Sequence, residues 1–286
     1  IRLSEGQVEP VRLPGSSGRS AVRALLEGQD GSLWVGTEAG LVRLHEGRVR
    51  LLTPRDGLPG DKVRALAEDR DGNLWVGVEE GGLARLTEGT FTVLGTGQAL
   101  SGAGVISLLE DREGSLWVGT ASGGLHRLRD APFVAFGQPE GLRDELISVV
   151  LEDKQGALWA GSYSGGLTRM KDGVLTHFGQ QEGLPPGNLR ALAEDGEGHL
   201  WVGTSGGAFR YDGRSFTRVG REQGLPDELL FSLFADSRGD MWFGTLGGLG
   251  RLREGTFTHF GPEQGGPEEP VVSIAEDSEG TLWFGS

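Results

Sequence analysis

The chain contains no cysteine. A disulfide framework, a thiol nucleophile and a cysteine-built metal centre are therefore all excluded. A basic stripe is missing as well: the formal charge is −14 and the pI is near 4.9. Nucleic-acid binding is not expected, because that function normally leaves a basic footprint. The same charge disfavours anionic membrane surfaces and suits a neutral ligand, a cation or solubility alone. No apolar run approaches the roughly 20 residues that span a bilayer, so no membrane helix is expected. There is no Gly-x-Ser-x-Gly elbow and no phosphate-binding loop. The sequence opens on Ile1-Arg2-Leu3, neither a Met start nor a signal peptide, which reads as a trimmed or processed chain.

Glycine, by contrast, is abundant at 52 of 286 residues, and its positions are ordered. The seven tryptophans, Trp34, Trp75, Trp117, Trp159, Trp201, Trp242 and Trp283, recur at intervals of 41 or 42 residues. Each stands in a version of D-x-x-G-x-L-W-x-G-T, followed by Arg in a version of L-x-R-L. A period of 40–45 residues with Trp, Gly and several short strands per unit is the signature of a propeller blade.

Residues 63–95 illustrate one unit. Residues 63–68 read as a first strand, and Asp69 with Gly72 reads as a turn in which a carboxylate caps backbone N–H groups. Residues 74–78 read as the second strand, 83–86 as the third, and Glu88-Gly89 as a tight hairpin. Residues 90–94, β-branched and aromatic, read as the fourth strand. The predicted fold is all-β: a seven-bladed β-propeller of four-stranded antiparallel blades filling residues 1–286 as one domain. Ile1-Arg2-Leu3-Ser4-Glu5-Gly6 repeats Val42-Arg43-Leu44-His45-Glu46-Gly47. Residues 1–13 are therefore expected to give the two outer strands of a closing blade and residues 271–286 its two inner strands. The Gly two residues after each Trp is expected to admit a Trp from the adjacent blade.

The consensus V-x-x-L-x-E-D-x-x-G-x-L-W-V-G-T-x-x-G-G-L-x-R-L-x-E-G-x-F resembles the two-component regulator propeller repeat. Residues 64–85, 108–128 and 188–210 carry it well, and it covers essentially the whole chain. The resemblance implies the extracytoplasmic, periplasmic sensor part of a membrane-anchored bacterial signalling protein such as a hybrid histidine kinase. The β-sandwich, membrane helix and output domain that often follow in that family have no counterpart in this sequence. The resemblance thus implies sensing by a parent protein.

Several residue groups were weighed for chemistry. Asp69, Asp111, Asp153, Asp195, Asp236 and Asp277 suggest turn caps rather than calcium ligands, since no Glu follows at calcium-loop spacing. No metal or other cofactor is expected. Arg2, Arg43, Arg85, Arg127, Arg169, Arg210 and Arg251 are expected to pair with the recurrent Glu68, Glu110, Glu152, Glu194 and Glu276. The five histidines fall on outer strands or hairpins, so no His-centred catalytic site is expected.

The variable positions point to binding. The loops leading into the first strands (55–62, 98–104, 138–145, 180–188, 221–229 and 262–270) share one face with the turns between second and third strands. Variable loops on a rigid scaffold are where binding usually resides. The candidate ligand-binding residues on that face are Arg23, Arg64, Arg190, Tyr163, Glu79 and Asn188, with Glu38 and Glu80 nearby. The expected ligand is an oligosaccharide or another small polar molecule, with no catalysis by this chain. Two alternatives stay open: a protein-interaction scaffold using the same face, and a propeller-fold lyase or hydrolase using its carboxylates.

Overall fold

A computed structural model describes the chain except residues 5–6, 12, 14–20, 95–99, 101–103, 130–133, 165, 263–265 and 268. At residues 4, 7 and 8 only the backbone is described. The loops 98–104 and 262–270, and the segment 1–13, thus lie partly outside the described residues. Among the described residues no helix is long and apolar enough to cross a membrane.

Seven four-stranded antiparallel sheets follow one another in a ring. The innermost strands of blades one to seven are Val22–Glu27, Val63–Glu68, Val105–Glu110, Ile147–Glu152, Leu189–Glu194, Leu230–Ala235 and Ser273–Glu276. In blade seven, Ser273–Glu276 pairs with Leu282–Gly285, which pairs with Arg2–Ser4, which pairs with Gln7–Glu9. Both chain ends therefore build one sheet. Arg2 lies opposite Trp283 as Arg43 lies opposite Trp34, and the seven-bladed propeller closes as the terminal repeat predicts.

Local chemistry explains the turns. In blade two, Asp69 Oδ1 accepts the Asp71 and Asn73 amides at 3.1 and 2.8 Å. Its Oδ2 accepts the Trp75 indole N–H at 2.8 Å. The same indole bond recurs from Trp117, Trp159, Trp201, Trp242 and Trp283 to the Asp six residues earlier. One carboxylate thus closes the first hairpin and satisfies a donor that the apolar core cannot. The outer hairpins place Glu46, Glu88, Asp172 and Glu254 at φ 47–50°, each followed by a Gly at φ 74–81°. Two successive positive φ values give the two-residue turn whose twist matches an antiparallel pair.

Two sequence expectations are corrected. The Gly after each Trp does not receive a neighbouring Trp. It faces the first inner-strand residue of the next blade: a β-carbon on Gly36 would stand 2.7 Å from Val63 Cγ1, and one on Gly161 3.2 Å from Leu189 Cβ. Each Trp instead packs farther out, in an apolar cluster shared with the next blade. The second correction concerns Arg. The guanidinium groups of Arg43, Arg85, Arg127, Arg169 and Arg251 lie 5.2–5.8 Å from the Trp ring centroids of their own blades. The recurrent Glu residues turn the other way. Glu68, Glu110, Glu152, Glu194 and Glu276 each accept a backbone N–H of the preceding blade, at 2.6–3.0 Å. Cation–π contact suits the planar Arg on the third strand, while the Glu at the end of the inner strand reaches the neighbouring hairpin.

Candidate functional site at the channel rim

The loops that lead into blades two, four, five and six are built rather than free. Thr53, Gly137, Gly179 and Gly220 donate their amides to Asp56, Glu140, Glu182 and Gln223 three residues on, at 2.7–2.9 Å. Gly57, Gly141, Gly183 and Gly224 then turn the chain at φ 92–105°. The Leu that follows is buried in each case: Leu58, Leu142, Leu184 and Leu225. What these loops present is therefore set by a fixed plug between blades.

Just beyond the plugs, the pairing of inner and second strands skips one residue in each of blades one to six. The skipped residues are Arg23, Arg64, Ile106, Ser148, Arg190 and Phe231. A bulge leaves such a residue out of the ladder and re-aims its side chain. Neighbours round the rim touch: the Arg190 guanidinium lies 5.1 Å from the Phe231 ring centroid, and the Ser148 hydroxyl donates to the Leu189 carbonyl of the next blade.

Fifteen residues after each bulge comes the first residue of the turn between second and third strands. In blade two this is Glu79, which accepts Arg64 Nε and Nη2 at 3.0 and 2.8 Å. In blade one Arg23 donates to Glu38 through Nη2 alone, its Nε left without a partner. Hydrogen bonding to Arg23 and its charge hold the Glu38 carboxyl below the usual range, against a desolvation cost, with Arg64 and Lys62 adding to the effect. Lys62 lies 3.6 Å from Glu80. Blades one and two thus form one cluster of three cations and three carboxylates that neutralise one another.

The other blades break the pattern. The corresponding pairs are Ile106 with Ala121, Ser148 with Tyr163, Arg190 with Ser205, and Phe231 with Leu246. Ser205 stands where the arginines of blades one and two find a Glu. Arg190 makes no ion pair among the described residues, and its buried Nε lacks a hydrogen-bond partner. Asn188, two residues earlier, has a buried Oδ1 also without a partner. Tyr163 is 52 % exposed and Leu246 49 %. The six candidate residues therefore divide. Arg23, Arg64 and Glu79 are tied up in blades one and two, whereas Tyr163, Asn188 and Arg190 stand on blades four and five with unspent capacity. Ser205 and Leu246 are not singled out by the sequence reading, although the offset of fifteen is there to be read.

Among the described residues, no three His, Asp or Glu side chains gather as metal ligands. His126 is buried on a third strand, His177 meets Thr168 Oγ1 at 3.0 Å, and His45 meets Ser32 Oγ at 3.1 Å, all away from the inner strands.

The sequence pattern of the two component regulator propeller matches residues 16–39, 57–80, 99–122, 183–206, 224–247 and 265–286. The chain belongs to the two component regulator propeller family. The repeat around Trp159, which carries Tyr163, falls outside these matches; Ala160 and Ser162 stand where the repeats of blades one, three and five have Val and Thr. No curated protein matches the sequence. Among solved structures, the extracellular domain of a hybrid two component system from B. thetaiotaomicron superposes with a TM-score of 0.85 at 21 % identity. That match covers 95 % of this chain and 38 % of the other, so the propeller spans well under half of its relative. Virginiamycin B lyase from Staphylococcus aureus gives 0.76 at 17 % identity, covering 96 % and 94 % of the two chains. The WD40 propeller of Doa1 gives 0.71 at 12 %, covering 96 % and 92 %. At such identities the likeness is one of fold.

Proposed function

We propose that this propeller is the non-catalytic, ligand-sensing part of a bacterial signalling protein. It binds a small polar ligand, an oligosaccharide being the leading class, on the rim of blades four to six. The observation that carries this reading is Arg190. Its counterparts Arg23 and Arg64 are neutralised by Glu38 and Glu79, while Arg190 has Ser205 at the equivalent position and no ion pair among the described residues. A guanidinium so placed can hold a carboxylate or a pair of hydroxyls in a bidentate contact. Tyr163 offers a face for stacking, and Asn188 offers an unsatisfied acceptor for a ligand hydroxyl. Family membership supports the sensing role, and with it an extracytoplasmic location and a membrane-anchored parent.

The exposed Leu246 and Tyr163 favour a second reading, in which the same rim docks a protein. A thermal-shift screen separates the two. Oligosaccharides and small carboxylated metabolites are tested on the wild type, Arg190→Ala and Ser205→Glu, the last giving Arg190 the partner that blades one and two already have. A ligand at 100 times its Kd adds about 2.7 kcal/mol of stability. A shift seen in the wild type and lost in both variants supports the rim site. A shift kept in both moves the site elsewhere, and no shift with any compound favours protein docking.

A further inference from the structure

The seven repeats act as internal controls for one another, and one blade boundary departs from the rest. At the closing seam, between blades seven and one, a cavity of about 560 Å³ opens beside Trp283. It lies among first and outer hairpins (Gly31, Gly47, Ser278), hence on the face opposite the rim just described.

Its origin can be traced to two residues. The outer strands of blades two, four, five and six place Phe91, Leu175, Phe216 and Phe257 in the cluster that holds the preceding blade's Trp. Blade one has Val49 at this position, 45 % exposed and outside the cluster. The space filled by a larger side chain in those four blades is open here. The second departure is Arg2. In five blades an Arg guanidinium lies over the Trp ring, but Arg2 pairs with Glu9 instead and, like Arg210 of blade five, makes no such contact with its Trp. Trp283 is half-buried, whereas the other six tryptophans are 2–7 % exposed.

The walls define the ligand. Val49, Leu33 and Leu44 supply apolar surface. Glu27, Glu46, Asp277 and Glu279 supply four carboxylates, against Arg48 and an Arg2 already paired with Glu9. Glu46 and Glu279 make no ion pair among the described residues. An indole without its usual cation, inside an acidic and partly apolar cavity, suits a cation brought by a ligand. The apolar wall favours an alkylated head over a bare ammonium.

We propose that the closing seam binds a small alkylammonium cation, its head over Trp283 and its charge balanced by Glu46 and Glu279. The ligand would bridge the N-terminal strand, the C-terminal strand and blade one, and so would fasten the ring where the chain ends meet. This site is separate from the rim and does not depend on it.

The test uses choline as probe and 3,3-dimethylbutanol as its neutral isostere, each titrated into the 15N-labelled full chain. Seven indole N–H resonances report on seven tryptophans, with that of Trp283 assigned by its loss in Trp283→Phe. Choline should move the Trp283 resonance saturably and leave those of blades two to five in place. The isostere should bind about tenfold more weakly, the scale of a partly desolvated cation–π contact. Val49→Phe, which fills the cavity as its sister blades do, should abolish the shift while melting no lower than wild type. Glu279→Gln should weaken choline and leave the isostere unchanged. No shift with choline, equal shifts with both compounds, or a shift that survives in Val49→Phe overturns the proposal.

Discussion

Val63 of blade two lies against Gly36 of blade one, and its Cγ1 would stand 2.7 Å from a β-carbon placed there. The contact recurs at each blade boundary, but its tightness varies. A β-carbon on Gly203 would meet Ala191 Cβ at 3.2 Å and Leu230 Cβ at 3.4 Å, whereas one on Gly244 would run into the Val271 carbonyl and the Ser232 hydroxyl. Backbone cannot swing aside as a side-chain terminus can. Gly244→Ala should therefore cost about 1–3 kcal/mol, the usual range for overpacking, and Gly203→Ala less than about 1 kcal/mol. Urea unfolding of the two variants side by side checks this, and equal losses would argue against backbone crowding as the cause.

Asp153 joins two kinds of structure through one carboxylate. Its Oδ1 accepts the Gln155 and Ala157 amides at 2.9 and 2.8 Å, and its Oδ2 accepts the Trp159 indole at 2.8 Å. Asp153→Ala strands three donors, two of them buried with their residues, at about 1–3 kcal/mol for each group left unpaired. A loss of roughly 3 kcal/mol or more is expected by chemical denaturation. Asp153→Asn should cost less, because the amide oxygen can still serve the turn while the NH2 group faces the indole. If the two variants unfold at the same denaturant concentration, the indole rather than the turn carries the effect.

Much of the fold was legible because each structural need recurs as a residue type. The strands at 63–68, 74–78 and 90–94 follow from alternation and turn chemistry, and the seam follows from Ile1-Arg2-Leu3 repeating Val42-Arg43-Leu44. What could not be read was direction. The position that bulges towards the channel holds Arg23, Ile106, Ser148 and Phe231 with no common chemistry, because a bulge is specified by strand pairing and not by its own side chain. For the same reason the partner of each recurrent Arg was misjudged: Glu68 and Arg85 are close in sequence pattern, but they end on different faces of the blade. The seam cavity rests on two local departures, the short Val49 and an Arg2 that pairs with Glu9, which no period reveals.

The charged cluster of blades one and two should contribute little to stability. Arg64 and Glu79 are both about one-third exposed, at 34 % and 38 %. Solvent screens such a pair, and exposed pairs contribute about 0.2–1 kcal/mol. Arg64→Ala should thus lower stability by less than about 1 kcal/mol and leave binding at Arg190 intact. A double-mutant cycle with Glu79→Ala measures the coupling. A coupling several times larger would show that the pair is shielded and belongs to the binding surface after all.

His126 gives the chain a predictable acid response. It is 4 % exposed on the third strand of blade three, where sister blades place Val42, Ala84, Thr168, Phe209 and Gly250. Burial lowers its pKa from the ordinary histidine value, with the Gly123 backbone opposing in part from outside hydrogen-bonding geometry. Burial likewise lowers His177, aided by the Arg143 charge. A histidine depressed in the fold binds fewer protons there than in the unfolded chain. Stability then rises with pH through this window. It is complete above the unfolded pKa near 6.5 and is lost as pH falls below it. Melting temperatures of the wild type should decline between about pH 6.5 and 5. His126→Val installs the residue of blade one and, being close in volume, should stay within about 1.5 kcal/mol of wild type at pH 8. Below pH 6.5 its decline should be shallower, keeping only the share due to His177. Parallel curves for the two proteins would mean that His126 is protonated without penalty in the fold, and the acid response would have to be sought among the carboxylates.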